Sequence, residues 1–228
     1  YEIVLRDWSS DVCSSDLAAA AVWRKPSPTF AGAIQHFAAG VVFAAAAGEL
    51  LPDIKHRQSA WAVILGGAAG IVLMLLIKRL GEMTKGTSGL IVMVAVDIFI
   101  DGLVLGIGFA AGAKQGFLLT VALTTEVLFL GLSLTGELSE SIRKPANVLA
   151  VVGGTAILLP LGASVGIPVS HLPNFWIAAF FSFGLVALLY LVTEELLVEA
   201  HSAPEKPWVT SLFFVGFLLI LLLDELAG

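Results

Sequence analysis

Three carboxylic acids lie inside apolar stretches of the sequence. Asp97 and Asp101 are four residues apart and would share one face of a helix, and Glu126 lies at a similar depth in the next apolar run. A charged side chain at the centre of a bilayer costs about 3 kcal/mol or more, so such residues usually pair with an opposite charge or line a cavity. No Lys or Arg lies at comparable depth in any apolar run. A cation from solution, either a metal ion or protons, is therefore the expected partner of these acids.

Single buried acids also have a structural interpretation. Each could be protonated and hydrogen bonded to Thr124, Thr125 or a backbone carbonyl, so that it holds two helices together. For one acid, that structural role is the commoner one. Three converging acids without a basic partner favour an ion path instead.

Further acids and histidines lie at the ends of two other apolar runs. They are Glu49, Asp53 and His56 after one run, and Glu194, Glu195, Glu199 and His201 at the end of another. We interpret the two groups as the entrance and exit of the path that contains the three central acids. The alternative is that they are solvated helix ends, which is the usual fate of terminal charges.

The composition assigns these residues to a membrane protein. Of the 228 residues, 58% are hydrophobic and only 13% are charged, and apolar runs of about twenty residues recur along the chain. We predict an all-α integral membrane protein with seven full spans, at residues 32–52, 60–77, 90–113, 117–138, 148–168, 175–197 and 208–223. A shorter apolar run before Arg24 predicts the last turns of an earlier helix. The native protein would then have eight spans.

Residues 1–17 differ in character from the rest of the chain. They resemble the translation of a sequencing adapter, and we take them as a non-native segment before a single transmembrane domain, residues 18–228. Cys13 is the only cysteine and lies in that segment, so the domain has no thiol for a disulfide or a metal site. Without the segment, 11 basic and 14 acidic residues remain, and the net charge changes from −6 to about −3. No basic surface for nucleic acid is present.

The loop charges predict the orientation of the chain. Lys and Arg concentrate in the cytoplasmic loops of membrane proteins. Lys55, Arg57 and Lys114 fall on one side of the predicted spans, whereas eight basic residues fall on the other: Arg24, Lys25, Lys78, Arg79, Lys85, Arg143, Lys144 and Lys206. We expect the second side to be cytoplasmic, with the C-terminus outside the cytoplasm.

A short sequence echo relates the first complete span to the sixth. The first ends in Glu49-Leu50-Leu51 and the sixth in Glu195-Leu196-Leu197. Since one span is odd and the other even, they cross the membrane in opposite directions. Inverted repeats of this kind mark many secondary transporters, whose sites lie near the midplane at the repeat interface. Chance is the alternative, because Glu-Leu-Leu is a common helical tripeptide.

These motifs resemble a known family of transporters. Residues 35–54, QHFAAGVVFAAAAGELLPDI, look like the second helix of bacterial ZIP (Zrt/Irt-like) divalent-metal transporters; residues 189–201, LYLVTEELLVEAH, look like the seventh helix, and residues from 208 onward resemble the eighth. The resemblance implies a bundle of eight helices in a 3+2+3 arrangement with inverted repeats. It also implies a metal path between helices 2, 4, 5 and 7, in the inner (plasma) membrane of a bacterium.

The expected metal motif of that family is altered here. Where typical members have His-Asn-x-Pro-Glu-Gly in the fourth helix, residues 97–102 read DIFIDG, so carboxylates replace the His and the Glu and the proline is missing. In the fifth helix, Thr125 and Glu126 stand where members have His-Glu. The predicted ligands are therefore Asp97, Asp101, Glu126 and Thr125. An all-oxygen set favours hard cations such as Mn²⁺, Mg²⁺ or Ca²⁺, although zinc also accepts carboxylates.

Two functions follow from these patterns. The first is transport of divalent metal cations such as zinc, manganese or iron, with the metal as substrate and with no tightly bound cofactor. The second is a ZIP-like membrane protein that no longer transports and serves as a metal-binding or regulatory partner. An intramembrane aspartyl protease is disfavoured, since catalytic Asp dyads come from facing elements, and Asp97 and Asp101 follow one another on one helix. The expected partners are the lipid bilayer and a divalent metal ion, and a homodimer is left open.

Overall fold

The computed structural model describes residues 27–57, 59–84, 86–142, 144–202 and 206–227. Within these ranges it contains seven helices that are long and apolar enough to cross a membrane. They are α1 Pro28–Arg57, α2 Ala60–Met83, α3 Thr87–Ala111, α4 Ala113–Ser141, α5 Pro145–Gly166, α6 Asn174–His201 and α7 Pro207–Ala227. Within these ranges there is no β-strand. The all-helical class and the seven predicted spans are confirmed. The adapter-like segment and the predicted remnant of an earlier helix lie outside the described residues.

The break in helix α5 has a clear local cause. Helix α5 consists of Pro145–Ala156 and Leu158–Gly166, followed by a 3₁₀ turn, Ile167–His171. The interruption at Ile157 comes just before Pro160, which has no N–H and whose ring clashes with the carbonyl four residues earlier. Helix α3, in contrast, is continuous through Asp97 and Asp101, in keeping with the absence of a proline there.

Helices α3 and α5 approach closely through paired glycines. Gly102 and Gly106 on α3 lie against Gly162 and Gly166 on α5, and a Cβ atom at any of the four would overlap the backbone of the other helix. Small residues at a spacing of four allow two membrane helices to pack backbone to backbone. This contact fixes the position of α3, which carries Asp97 and Asp101.

The α1–α7 pair and the α6–α2 pair have matching interfaces. Gly216 of α7 lies against the carbonyl of Phe37 on α1, and Gly70 of α2 lies against the carbonyl of Phe183 on α6. Phe183 follows Phe37 in the sequence by as many residues as Gly216 follows Gly70. The same spacing separates the start of α6 from the start of α1. The two helix pairs therefore correspond in register at this contact.

Helices α1 and α6 also share an unusual local structure. Each contains a single π-helical turn, Ala46–Leu50 in α1 and Val192–Leu196 in α6. The turns fall on the two copies of the Glu-Leu-Leu echo, at the same place in each helix. Isolated π turns within α-helices are frequently associated with functional sites.

Candidate metal centre

Three acids converge at the interface between α3 and α4. Asp97 and Asp101 project from one face of α3, and Glu126 projects from α4, so that one carboxylate oxygen of each lies within 4.8 Å of the others. Their exposed fractions are 4%, 1% and 0%. None of the three faces the lipid, and together they form a cluster that we call the acid triad.

The triad has few hydrogen-bond partners. Oδ2 of Asp97, Oδ2 of Asp101 and both oxygens of Glu126 are buried and have none in the described part of the chain. Buried polar atoms are normally paired, and leaving a charged group unpaired costs several kcal/mol. The site therefore has carboxylate oxygens that could serve as ligands for a cation.

The neighbouring threonines do not pair with the triad. The hydroxyl of Thr125 donates to the carbonyl of Val121 at 2.7 Å, one turn back along α4. The hydroxyl of Thr124 is buried and without a partner in the described residues. The structure thus does not show the arrangement in which protonated acids are held by these two hydroxyls. Thr125 as a metal ligand stays a prediction.

Basic residues lie away from the triad. The two ion pairs found within the described ranges are Lys78–Glu194, at 3.1 Å, and Lys114–Asp224, at 2.8 Å. Both are at least one-third exposed, at opposite ends of the helix bundle. Since no described cation neutralises the triad from within the protein, its charge has to be balanced by protons or by an ion from solution.

The two glutamates of the π turns have different surroundings. Glu195 interacts electrostatically with all three acids of the triad. Glu49 is buried but interacts with Asp224, Lys114 and Asp53 instead. Both were predicted to lie at the ends of a path, and of the two it is Glu195 whose charge acts on the triad.

The remaining predicted end residues lie at the two surfaces. Asp53 is half-buried and His56 is exposed at the end of α1. The Lys114–Asp224 pair, which the sequence did not predict, lies at the same end of the bundle. At the opposite end, Glu194 pairs with Lys78, and Glu199 accepts a hydrogen bond from Ser133 at 2.5 Å. His201 lies beside His36, a buried residue that sequence analysis passed over because it stands alone in an apolar run.

Comparison with known proteins gives one related transporter. The chain is similar to a zinc transporter. ZIPB of Bordetella bronchiseptica is 26% identical over 131 residues, which are 56% of this chain and 42% of that protein, so the match spans less than half of the relative's length. No protein-family model matches the sequence. With the seven membrane-capable helices, the similarity fits a ZIP-like membrane protein.

The chemistry of the triad suits a divalent cation. Three carboxylates can supply oxygen ligands from two helices and carry enough negative charge to offset the dehydration of an ion. Mn²⁺, Mg²⁺ and Ca²⁺ prefer such oxygen sets, and Zn²⁺ accepts them as part of its usual range of ligands. Enclosure of the acids between helices means that an ion bound there would be removed from bulk water.

Proposed function

We propose that the protein transports divalent metal cations across the membrane, with the acid triad as the central binding site. The observation that carries the proposal is the convergence of Asp97, Asp101 and Glu126, all buried, with ligand oxygens within 4.8 Å of one another. Four of their oxygens have no hydrogen-bond partner among the residues that the structure describes. Similarity to the zinc transporter ZIPB supports metal as the substrate.

The proposed path uses α1, α3, α4 and α6, which correspond to helices 2, 4, 5 and 7 of an eight-helix ZIP-like bundle. Glu195, in the π turn of α6, lies between the triad and the end that carries Glu199 and His201. Glu49, in the π turn of α1, leads to the opposite end. The related α1–α7 and α6–α2 pairs support an inverted-repeat origin, in which rocking of one repeat against the other exposes a fixed central site alternately.

The all-oxygen composition of the triad sets the expected selectivity of the centre. Carboxylates bind hard cations well, whereas imidazole nitrogen helps a site to hold zinc against more abundant hard ions. We infer that the triad itself accepts Mn²⁺ and Zn²⁺ alike, with little preference for zinc. We also propose that the protein resides in the inner membrane of a bacterium.

Metal-dependent proton release provides the test of the central site. Buried carboxylic acids without a basic partner keep protons until a metal displaces them, so Mn²⁺ or Zn²⁺ added to weakly buffered, purified protein should release protons. Glu126→Gln should reduce the release, whereas Glu225→Gln, which alters an exposed acid at the end of α7, should leave it unchanged. Equal release from both variants would place the metal elsewhere. Metal binding without any uptake into vesicles would favour the non-transporting alternative.

A further inference from the structure

Two histidines face each other across the α1–α6 interface. His36 lies near the start of α1 and His201 at the end of α6, and because these helices run in opposite directions, both residues lie at the same end of the bundle. Their ring centroids are 5.0 Å apart and the ring planes are inclined by 59°. By the loop charges, this is the end predicted to be cytoplasmic.

The hydrogen bonds of the two rings define which nitrogen is free. Nδ1 of His36 lies 2.8 Å from the carbonyl of Gly32, and Nδ1 of His201 lies 2.5 Å from the carbonyl of Leu197. A carbonyl only accepts hydrogen bonds, so each Nδ1 carries the proton and, in a neutral ring, each Nε2 keeps its lone pair. A backbone carbonyl bonded to one ring nitrogen is the usual way in which proteins orient a metal-binding imidazole.

The free nitrogen of His36 is buried without a partner. Only 3% of His36 is exposed, and its Nε2 has no hydrogen bond within the described residues. An unpartnered buried nitrogen of this kind costs about 1–3 kcal/mol unless something binds it. His201 is exposed, so an ion from the aqueous side can reach the space between the rings.

The spacing of the rings matches shared coordination of one ion. Zn²⁺ binds imidazole nitrogen at about 2.0–2.1 Å in tetrahedral geometry, which separates the centres of two rings on the same ion by about 5 Å. The observed distance is 5.0 Å. The two rings therefore already lie at the separation that binding to one shared ion requires.

We propose that His36 and His201 form a second metal site, in which the two Nε2 atoms bind a borderline divalent transition metal such as Zn²⁺ and water completes the coordination. Two protein ligands are fewer than the three or four of catalytic and structural zinc sites, so the ion can exchange readily. Imidazole favours zinc-like metals over Mn²⁺, Mg²⁺ and Ca²⁺. The site therefore adds, at one end of the path, the nitrogen ligands that the acid triad lacks.

The role of this site as a relay for metal leaving or approaching the triad rests on the proposed function, whereas its metal binding does not. This separation makes the two proposals distinguishable. Failure of the triad variants to affect proton release would overturn the proposed function, and failure of the histidine variants to affect nitrogen ligation would overturn the second site.

Cu²⁺ is the probe of choice because its electron paramagnetic resonance spectrum reports directly bound nitrogen. Purified protein with about one equivalent of Cu²⁺ should show coupling to two imidazole nitrogens. His201→Gln, at an exposed position that does not threaten folding, should remove this coupling and lower Zn²⁺ affinity at one site by about tenfold or more. His36→Gln should do the same. Mn²⁺-dependent proton release from the triad should persist in both variants.

The matched control is His171→Gln, which removes another exposed histidine, in the 3₁₀ turn after α5. It should retain the two-nitrogen spectrum and the Zn²⁺ affinity of the unmodified protein. If His201→Gln also retains both, the histidine pair is a packing contact and the second site does not exist. The same conclusion follows if the unmodified protein shows no imidazole coupling at all.

Discussion

Glu49 of α1 and Glu195 of α6 each occupy the fourth position of a five-residue π turn, in two helices that run in opposite directions. Their equivalence is local, because their electrostatic neighbours differ. Glu195 interacts with the acid triad, and Glu49 interacts first with Asp224 and Lys114. The two π turns therefore match in backbone structure, whereas their glutamates differ in whether they act on the acid triad.

This asymmetry predicts unequal effects of neutralising the two glutamates. Glu195→Gln removes negative charge that acts on the triad and should weaken metal binding there about fivefold, or ~1 kcal/mol, as expected for a charge interaction through a partly polar medium. Glu49→Gln should change binding at the triad by less than about twofold. Titration of Mn²⁺ into the two purified variants measures the difference. Equal weakening by both substitutions would show that Glu49 also acts on the centre.

A change of ligand type at α3 should change selectivity. Asp97→His introduces a borderline-soft nitrogen among hard oxygens, so the ratio of zinc to manganese uptake should rise, by about tenfold if one nitrogen replaces one oxygen in the site. Asp101→Ala provides the contrast, because removing a shared negative charge should weaken both metals alike. Competition uptake in cells that express each variant gives the ratio. An unchanged ratio in Asp97→His would remove Asp97 from the ligand set.

The paired glycines of α3 and α5 should be sensitive to a single methyl group. A Cβ at Gly106 would meet the carbonyl of Ala163 and Cα of Gly166, so Gly106→Ala should destabilise the protein by about 1–3 kcal/mol through overpacking. Gly136→Ala on α4 is the control, because no atom lies near its added Cβ and alanine favours helix. Thermal unfolding in detergent compares them. A melting temperature for Gly106→Ala at or above that of the control would mean that α3 and α5 can separate at little cost.

Much of this architecture could be predicted from local sequence patterns. Apolar runs identified the seven spans, and a spacing of four placed Asp97 and Asp101 on one face, because helical periodicity and bilayer thickness are properties of short segments. The Glu-Leu-Leu echo pointed to related helices and coincides with the π turns, which the sequence alone did not indicate. Pro160 could have indicated the break in α5.

Other features depend on which helices pack together. The His36–His201 pair joins residues 165 positions apart. The sequence grouped His201 with nearby acids at a helix end, but it indicated no partner for it and gave His36 no distinctive context. The Lys114–Asp224 pair and the proximity of Glu195 to the triad likewise arise from tertiary packing. A solitary polar residue in an apolar run shows that a partner is needed, but the identity of that partner follows only from the fold.

Metal uptake by proteoliposomes containing the purified protein shows whether the acid triad carries metal across the membrane. We expect Mn²⁺ and Zn²⁺ to enter vesicles that contain the unmodified protein or Glu225→Gln, and uptake to fall by at least about tenfold in Asp101→Ala and Glu126→Gln, since each removes a carboxylate that an ion in the membrane interior requires. If both triad variants carry metal at the rate of the unmodified protein, the acids do not line the path and the protein does not transport metal through a carboxylate site.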